Sequence, residues 1–334
     1  MIARLFEGVS ARSLVLLALL LVALLLAPLI ANDYFLTILI LILYFSYVGQ
    51  AWNILMGFAG YLSLGHALYV GLGAYTASAL YFHYGIAPWL GLLVAVPVAM
   101  AAGALIGYLA FRFSVAGVYF AILTIAFAEF ARVGFDHFSW VGGSGGLFLQ
   151  VSQYTHNDLW NLRGRPIMFY YLILALTVLA FILCRALLRM RVGYYWLAIR
   201  EDEEAARTLG IDTFRYKMYA VVLSAGMTSV AGVFFAFYYN NLFPEQVFNI
   251  SRSIELILAP IIGGVGTLFG PILGAFLLTG LSESMHELLS RLGVEAPGTK
   301  QVFYGLCLLV VVLALPDGVW PWLSKKLGLS ERKL

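Results

Sequence analysis

IELILAPIIGGVGTLFGPILGAFLLTGL, residues 254–281, reads as a membrane helix that stops halfway and starts again. Its bulk is apolar, but Pro260, Gly263, Gly264, Gly266, Gly270 and Pro271 occupy its middle. Proline removes a helical donor and glycine loses the most backbone freedom on ordering, so together they break the helix. Each half is too short to cross about 30 Å of hydrocarbon comfortably, which takes about 20 apolar residues. The stretch predicts a re-entrant hairpin or a pair of short packed helices. Irregular backbone survives at membrane depth only where protein or a watery cavity surrounds it.

The rest of the chain supplies the surroundings. Of 334 residues 62% are hydrophobic and only 11% charged, against about 25% charged in an ordinary soluble domain. That excess needs lipid as its solvent. Further apolar stretches run over Leu14–Ala31, Phe35–Met56, Tyr61–Phe82, Ile86–Phe111, Val115–Val133, Ile167–Leu188, Lys217–Tyr239 and Val302–Leu315. The expected fold is an all-α polytopic membrane protein, one transmembrane domain over residues 1–334, with eight full spans plus the broken hairpin. The run from Leu14 is long for a signal peptide and no small-x-small cleavage site follows, which predicts a retained first span.

Charge orients the spans. With the N-terminus inside and the broken stretch returning to its own side, most of the 20 basic residues fall inside, among them Arg185, Arg189, Arg191, Arg200, Arg207, Arg215 and Lys217. Arg132, Arg163, Arg165, Arg252, Arg291 and Lys300 fall outside. This asymmetry predicts both termini in the cytoplasm. Trp89, Trp140, Trp160, Trp320 and Trp322 near span ends fit interfacial anchors.

A second glycine-rich segment, MGFAGYLSLGHALYVGLGAY at 56–75, carries Gly57, Gly60 and Gly65 at its start. Paired interruptions in two halves of a chain can mark an internal repeat around a transport site. Glycines also let helices pack closely, and both readings stand. Asn53, Ser63, His66, Thr124 and Glu129 are the polar residues at membrane depth that could line a translocation path. Asn and Ser equally serve as interhelical glue, a lone His packs, and Glu129 can pair with Arg132 one turn on.

The residues also exclude several chemistries. No nucleophile sits beside a base, and no His, Cys or carboxylate group has metal-ligand spacing, so neither an enzyme nor a metal site is expected. Cys184 and Cys307 lie in apolar runs and read as packing residues. A G-x-x-x-x-G-K-[ST] phosphate loop is missing, and the VGGSGGL run at 141–147 reads as an external turn. The net charge of +3 is small and says nothing about nucleic acid, and no nucleic-acid partner is expected.

The most informative segment lies outside the apolar runs: AIREDEEAARTLGIDTFRYK, residues 198–217, within a polar stretch 189–216. Glu201, Asp202, Glu203 and Glu204 cluster at a helix start, where the dipole favours them. Gly210 can end that helix and Asp212 can cap the next. A short helix with small side chains can enter a groove on a partner. A solvated loop is the plain alternative.

Glu204-Ala205-Ala206 followed by Gly210 resembles the EAA-x-x-x-G loop of ABC importer permeases. The I-x-L-P portion seen in many members is missing at the expected distance, which argues against a sugar- or maltose-type permease. Residues 51–75, 141–147, 198–217 and 261–275 together resemble the high-affinity branched-chain amino acid permease family, in its M-type subunit. That resemblance implies a type II importer fold in the bacterial inner membrane. It implies a second permease subunit, two ATP-binding subunits and a periplasmic solute-binding protein. ATP would be bound by those partners, so this chain needs no cofactor. Glu203, Glu204, Ala205, Ala206, Leu209 and Gly210 would form the segment that docks on an ATPase. The external loop 134–166, with Asp136, Asp158, Arg163 and Arg165, could receive the binding protein. Urea and short-chain amide permeases look similar, and a stand-alone secondary transporter or channel would also explain the broken helices.

Overall fold

The structure, a computed structural model, describes residues 11–149, 157–291 and 298–327. Its elements are α1 (Ala11–Ile30), α2 (Asp33–Asn53, continued by a π turn, Ile54–Phe58), α3 (His66–Tyr84), α4 (Pro88–Arg112), α5 (Val118–Asp136), α6 (Pro166–Arg189), α7 (Arg191–Glu201), α8 (Glu203–Thr208), α9 (Thr213–Tyr239), α10 (Pro244–Phe248), α11 (Ile250–Gly263), α12 (Gly270–Arg291), α13 (Thr299–Ala314) and α14 (Val319–Lys326). Three of these helices open on proline, where its missing N–H would have had no partner.

Among the described residues, five helices are long and apolar enough to cross a membrane: Asp33–Phe58, α4, α5, α6 and α9. Eight full spans, expected from the sequence, are therefore not all met by length and composition. Leu17–Ile30 and Val302–Val311 are shorter apolar helices. The stretch expected from Tyr61 starts its helix only at His66, because the chain leaves the helix after Phe58. Residues 254–281 do form two helices, α11 and α12, joined by a turn at 264–269.

Burial separates centre from rim. In their most apolar 18-residue stretches, α2 and α9 have 72% of residues buried, whereas α5 has only 22%. A helix apolar on all sides belongs in the interior or against lipid. α9 packs along α3 and α4, and α2 along α6 and α12. Small residues set how near the axes come. A Cβ on Gly73 would strike Ser229 O, one on Gly232 would strike Val70 O, and one on Gly274 would strike Ala259 O. These contacts bring backbone against backbone, as membrane helices require when no water drives their association.

α1 shows how a proline is accommodated. Pro28 has no N–H for the carbonyl of Leu24, one turn earlier. Tyr170 of α6 donates its hydroxyl to that carbonyl at 2.6 Å, and Tyr171 donates to Leu25 O at 3.2 Å. In the loops, β1 (Leu147–Phe148) pairs antiparallel with β2 (Asn241–Leu242). This ribbon pins the glycine-rich turn 142–146 to the end of α9.

Candidate functional site

The two glycine-rich breaks lie far apart in sequence and touch in space. Asn53, the last residue of α2, accepts from Gly266 N with Oδ1 and donates Nδ2 to Thr267 O, both at 2.8 Å. Gln50, one turn earlier, donates to Leu268 O at 2.6 Å. Two buried side-chain amides thus satisfy backbone groups that the 264–269 turn leaves without helical partners. A Cβ on Gly57 would collide with Asn53 Oδ1 and Gly266 N, and Gly263 and Gly270 approach too closely for side chains. Gly266 also adopts a φ of 78°, a conformation that suits glycine. Gly264 packs against Pro321.

The first break ends in a closed hydrogen-bond chain around His66. Ser224 of α9 donates its hydroxyl to Ala51 O at 2.8 Å. Its oxygen is then left to accept from His66 Nε2, 2.9 Å away, and His66 Nδ1 lies within hydrogen-bond distance of Ser63 Oγ at 3.0 Å. Trp52 Nε1 donates to Ser63 O at 2.8 Å. The amides entering α3 find side-chain acceptors on other helices: Leu64 N donates to Thr124 Oγ1 at 3.1 Å and Ala67 N to Ser253 Oγ at 3.1 Å. A Cβ on Gly65 would strike Thr124 O. Asn53, Ser63, His66 and Thr124 are all buried, with their partners inside this chain. Glu129 is not brought to them. It stands half-exposed on α5 and pairs with Arg132, which also reaches Asp136 at 2.9 Å.

The segment 198–217 folds into α7's last turn, α8 and the start of α9. Asp202, in extended conformation, caps α8 by accepting from Ala205 N at 2.9 Å. This cap assigns Glu201 to the end of α7 rather than to the acidic helix start. Gly210, at φ 85°, and Ile211 donate to Arg207 O (3.0 Å) and Ala206 O (3.1 Å), so the helix ends in a paired glycine cap. Asp212 caps α9 through Arg215 N at 3.1 Å. Ala206 faces inward, while Glu204, Ala205 and Leu209 are exposed, Leu209 by 81%.

Glu203 ties α8 to the bundle. Its Oε1 accepts from Lys217 Nζ (2.6 Å), Arg207 Nη2 (2.7 Å) and Thr213 Oγ1 (3.1 Å), and its Oε2 accepts from Tyr61 OH (2.6 Å). Lys217 lies over the rings of Tyr61 and Phe111 at 5.2 and 4.9 Å. Burial by itself would raise the Glu203 pKa. The hydrogen bonds from Lys217 and Tyr61, the Lys217 charge and the Thr213 hydroxyl outweigh it and hold the carboxyl at about 2. One turn back from α8, Arg200 Nη1 donates to Gly57 O at 2.6 Å, and its stem packs on Gly60, which has a φ of 81°. α7 and α8 are therefore bonded to the first break, which is bonded in turn to the second.

Tyr61, Arg200, Lys217, Gln50 and Ser224 carry these ties and are not picked out by the sequence. A polar residue at the end of an apolar run was the available signal for Lys217 and Gln50. Among the described residues no group of three or more His, Cys, Asp or Glu side chains could hold a metal ion.

The family described as branched-chain amino acid transport system, permease component, matches residues 34–312. The chain belongs to this family. The permease is 30% identical over 305 residues to the high-affinity branched-chain amino acid transport system permease protein LivM of Salmonella typhimurium and to that of Escherichia coli K12, covering 85% of this chain and 69% of each relative. It is 30% identical to the LivH protein of Escherichia coli K12 over 129 residues, 39% of either chain. The autoinducer 2 import system permease protein LsrC of Salmonella paratyphi B is 32% identical over 108 residues, 30% of this chain and 31% of the relative. No solved structure matches the permease. The family read from its motifs stands, and so does its class: a multi-pass transport protein rather than an enzyme.

Proposed function

We propose that the chain is the membrane-spanning subunit of an ATP-binding-cassette importer for branched-chain or related amino acids. It sits in the bacterial inner membrane with both termini in the cytoplasm, and the α11–α12 pair returns to its own side as a re-entrant hairpin in a type II importer fold. A second permease chain completes the path, two ATP-binding subunits supply the energy, and a periplasmic solute-binding protein delivers the cargo.

The observation that supports this most directly is the Glu203 tie. A partner pressing on the exposed Glu204, Ala205 and Leu209 face of α8 would move Glu203, and with it Tyr61 and Lys217. Arg200 carries the same displacement to Gly57. Motion would reach both breaks without any new contact, and discrete packed elements of this kind switch rather than bend. In this reading Asn53, Ser63, His66 and Thr124 hold the breaks that the switch shifts. Glu129, a charge at membrane depth on an exposed face of α5, faces water in the shared path or the second permease chain.

The test is uptake of labelled leucine into proteoliposomes made with and without co-purified ATPase subunits. ATP-driven uptake only with the ATPase supports the proposal. ATP-independent uptake by this chain alone overturns it in favour of a secondary transporter. Competition by valine and isoleucine, against urea and acetamide, decides the cargo class.

A further inference from the structure

α14 (Val319–Lys326) is a helix of eight residues, about 12 Å long and too short to cross a bilayer. Connectivity sets it at the bilayer edge. α13 exposes one apolar face, Val302, Leu306, Leu309, Val310 and Leu313, the last by 76%. On a membrane protein such a face meets lipid. Just beyond Leu313 the chain turns, with Gly318 N donating to Leu315 O at 2.7 Å, and α14 begins.

The two faces of α14 differ. Inward, the Trp320 ring lies 4.7 Å from that of Phe269, and Pro321 packs on Gly264. Gly318 comes so near Gly264 that a Cβ would strike its Cα, and Val319 packs against Leu258, Ile262 and Leu278. These contacts fall on the 264–269 turn and its two helices, so α14 braces the second break from behind. Outward, Trp322 is 49% exposed. Lys325 and Lys326 are exposed too, three and four residues on and therefore on the same face. Lys326 Nζ stands 5.1 Å from the Trp322 ring centroid. Among the described residues neither lysine pairs with a carboxylate. Asp317, also exposed, lies before the helix starts.

Lysines in a last turn also answer the helix dipole. That effect gives no place to a half-exposed tryptophan between them. A tryptophan flanked by lysines at a bilayer edge suits headgroups: the indole sits at the interface and the ammonium groups meet phosphate.

We infer that the Trp322, Lys325 and Lys326 face of α14 seats the phosphate of an anionic phospholipid headgroup, and that the seated lipid holds α14 against the 264–269 turn. That the held turn matters to transport rests on the importer reading. The headgroup site does not.

The experiment uses the full-length chain in lipid nanodiscs without other subunits. It reads Trp322 fluorescence as the difference between the parent and Trp322→Phe. The quencher is phosphatidylcholine with a nitroxide on its headgroup, and the competitors are phosphatidylglycerol and unlabelled phosphatidylcholine. Phosphatidylglycerol relieves the quenching at a mole fraction on the order of ten-fold lower than phosphatidylcholine does, and raised salt shrinks this preference. Lys325→Gln with Lys326→Gln abolishes the preference, and Lys325→Arg with Lys326→Arg keeps it. In phosphatidylglycerol discs the parent melts above the double Gln variant, and in phosphatidylcholine discs the two melt together.

Equal relief by both lipids overturns the site, as does a preference that survives in the folded double Gln variant. A Trp322 signal untouched by the headgroup nitroxide places α14 away from the bilayer and overturns it too. If a Glu-rich peptide shifts Trp322 emission and phosphatidylglycerol shows no preference, the face belongs to an acidic protein partner and the lipid site falls. Equal melting of parent and double Gln variant in phosphatidylglycerol overturns the hold on the turn. If the double Gln variant fails to fold, the parent's lipid preference and its salt dependence decide. Lipid preference without ATP-driven uptake in the proteoliposome assay keeps the site and removes the importer; uptake without lipid preference does the reverse.

Discussion

Glu203 and Lys217 stand fourteen residues apart in the chain, on different helices, and meet through a 2.6 Å bond between carboxylate and ammonium. The lysine side chain is only 6% exposed and the glutamate 26%. Of the pair, the lysine is the member that cannot be left alone, because its charge sits among aromatic rings away from water.

This asymmetry predicts the outcome of a double-mutant cycle. Glu203→Gln strands the ammonium and costs about 2–3 kcal/mol, given that hydrogen bonds to charged groups contribute about 1.5–3. Adding Lys217→Met recovers part of that loss, since removing both charges of a buried pair is gentler than removing one. Guanidinium unfolding of the four proteins, followed by tryptophan fluorescence, gives the coupling. Costs that simply add would show that the two residues do not act on each other. In the reconstituted importer, Glu203→Gln also lowers uptake per ATP hydrolysed.

The same carboxylate sets an acid limit. Its folded pKa of about 2 lies below the ordinary 4.5, so its contribution is complete above pH 4.5 and drains away as the pH falls towards 2. Melting temperatures measured from pH 6 down to pH 3 fall more steeply for the parent than for Glu203→Gln. Parallel curves would remove Glu203 as the titrating group.

Tyr170 and Pro28 form a second coupled pair. Tyr170→Phe leaves Leu24 O without its donor and costs about 1–2 kcal/mol where the carbonyl is shielded from water. Pro28→Ala restores an N–H inside α1. In that background Tyr170→Phe costs less than half as much. Thermal denaturation of the two single variants and the double settles it, and an equal cost in both backgrounds would break the link between the hydroxyl and the proline.

Close helix contacts depend on particular glycines. Gly73→Ala and Gly232→Ala each force a methyl against a backbone carbonyl across the α3–α9 contact and cost about 1–3 kcal/mol. Gly280→Ala and Gly305→Ala, whose added methyls meet nothing within 4 Å, are neutral or stabilise by about 0.5–1 kcal/mol through helix propensity. Detergent-resistant melting curves rank the four, and no difference between the two sets would mean that the helices approach through other positions.

What could be read from consecutive residues is what consecutive residues control. Apolar runs set the membrane class, and Pro260 through Pro271 set the break in residues 254–281. The run Glu203 to Gly210 sets a short helix with its glycine stop. Each rests on backbone propensity and transfer energy, which act locally. Residue pairing across the bundle does not. That Asn53 would close the turn at Gly266, 213 residues away, or that Tyr61 would reach Glu203 across 142, depends on which helix faces which. The same holds for His66, whose partners Ser63 and Ser224 consume both ring nitrogens. It holds for Arg163, a loop arginine whose buried guanidinium meets Tyr81, Phe237 and Asn240 from two other helices. Tertiary structure decided these because a buried polar atom takes whichever partner the packing brings within 3 Å, and packing is a property of the whole bundle.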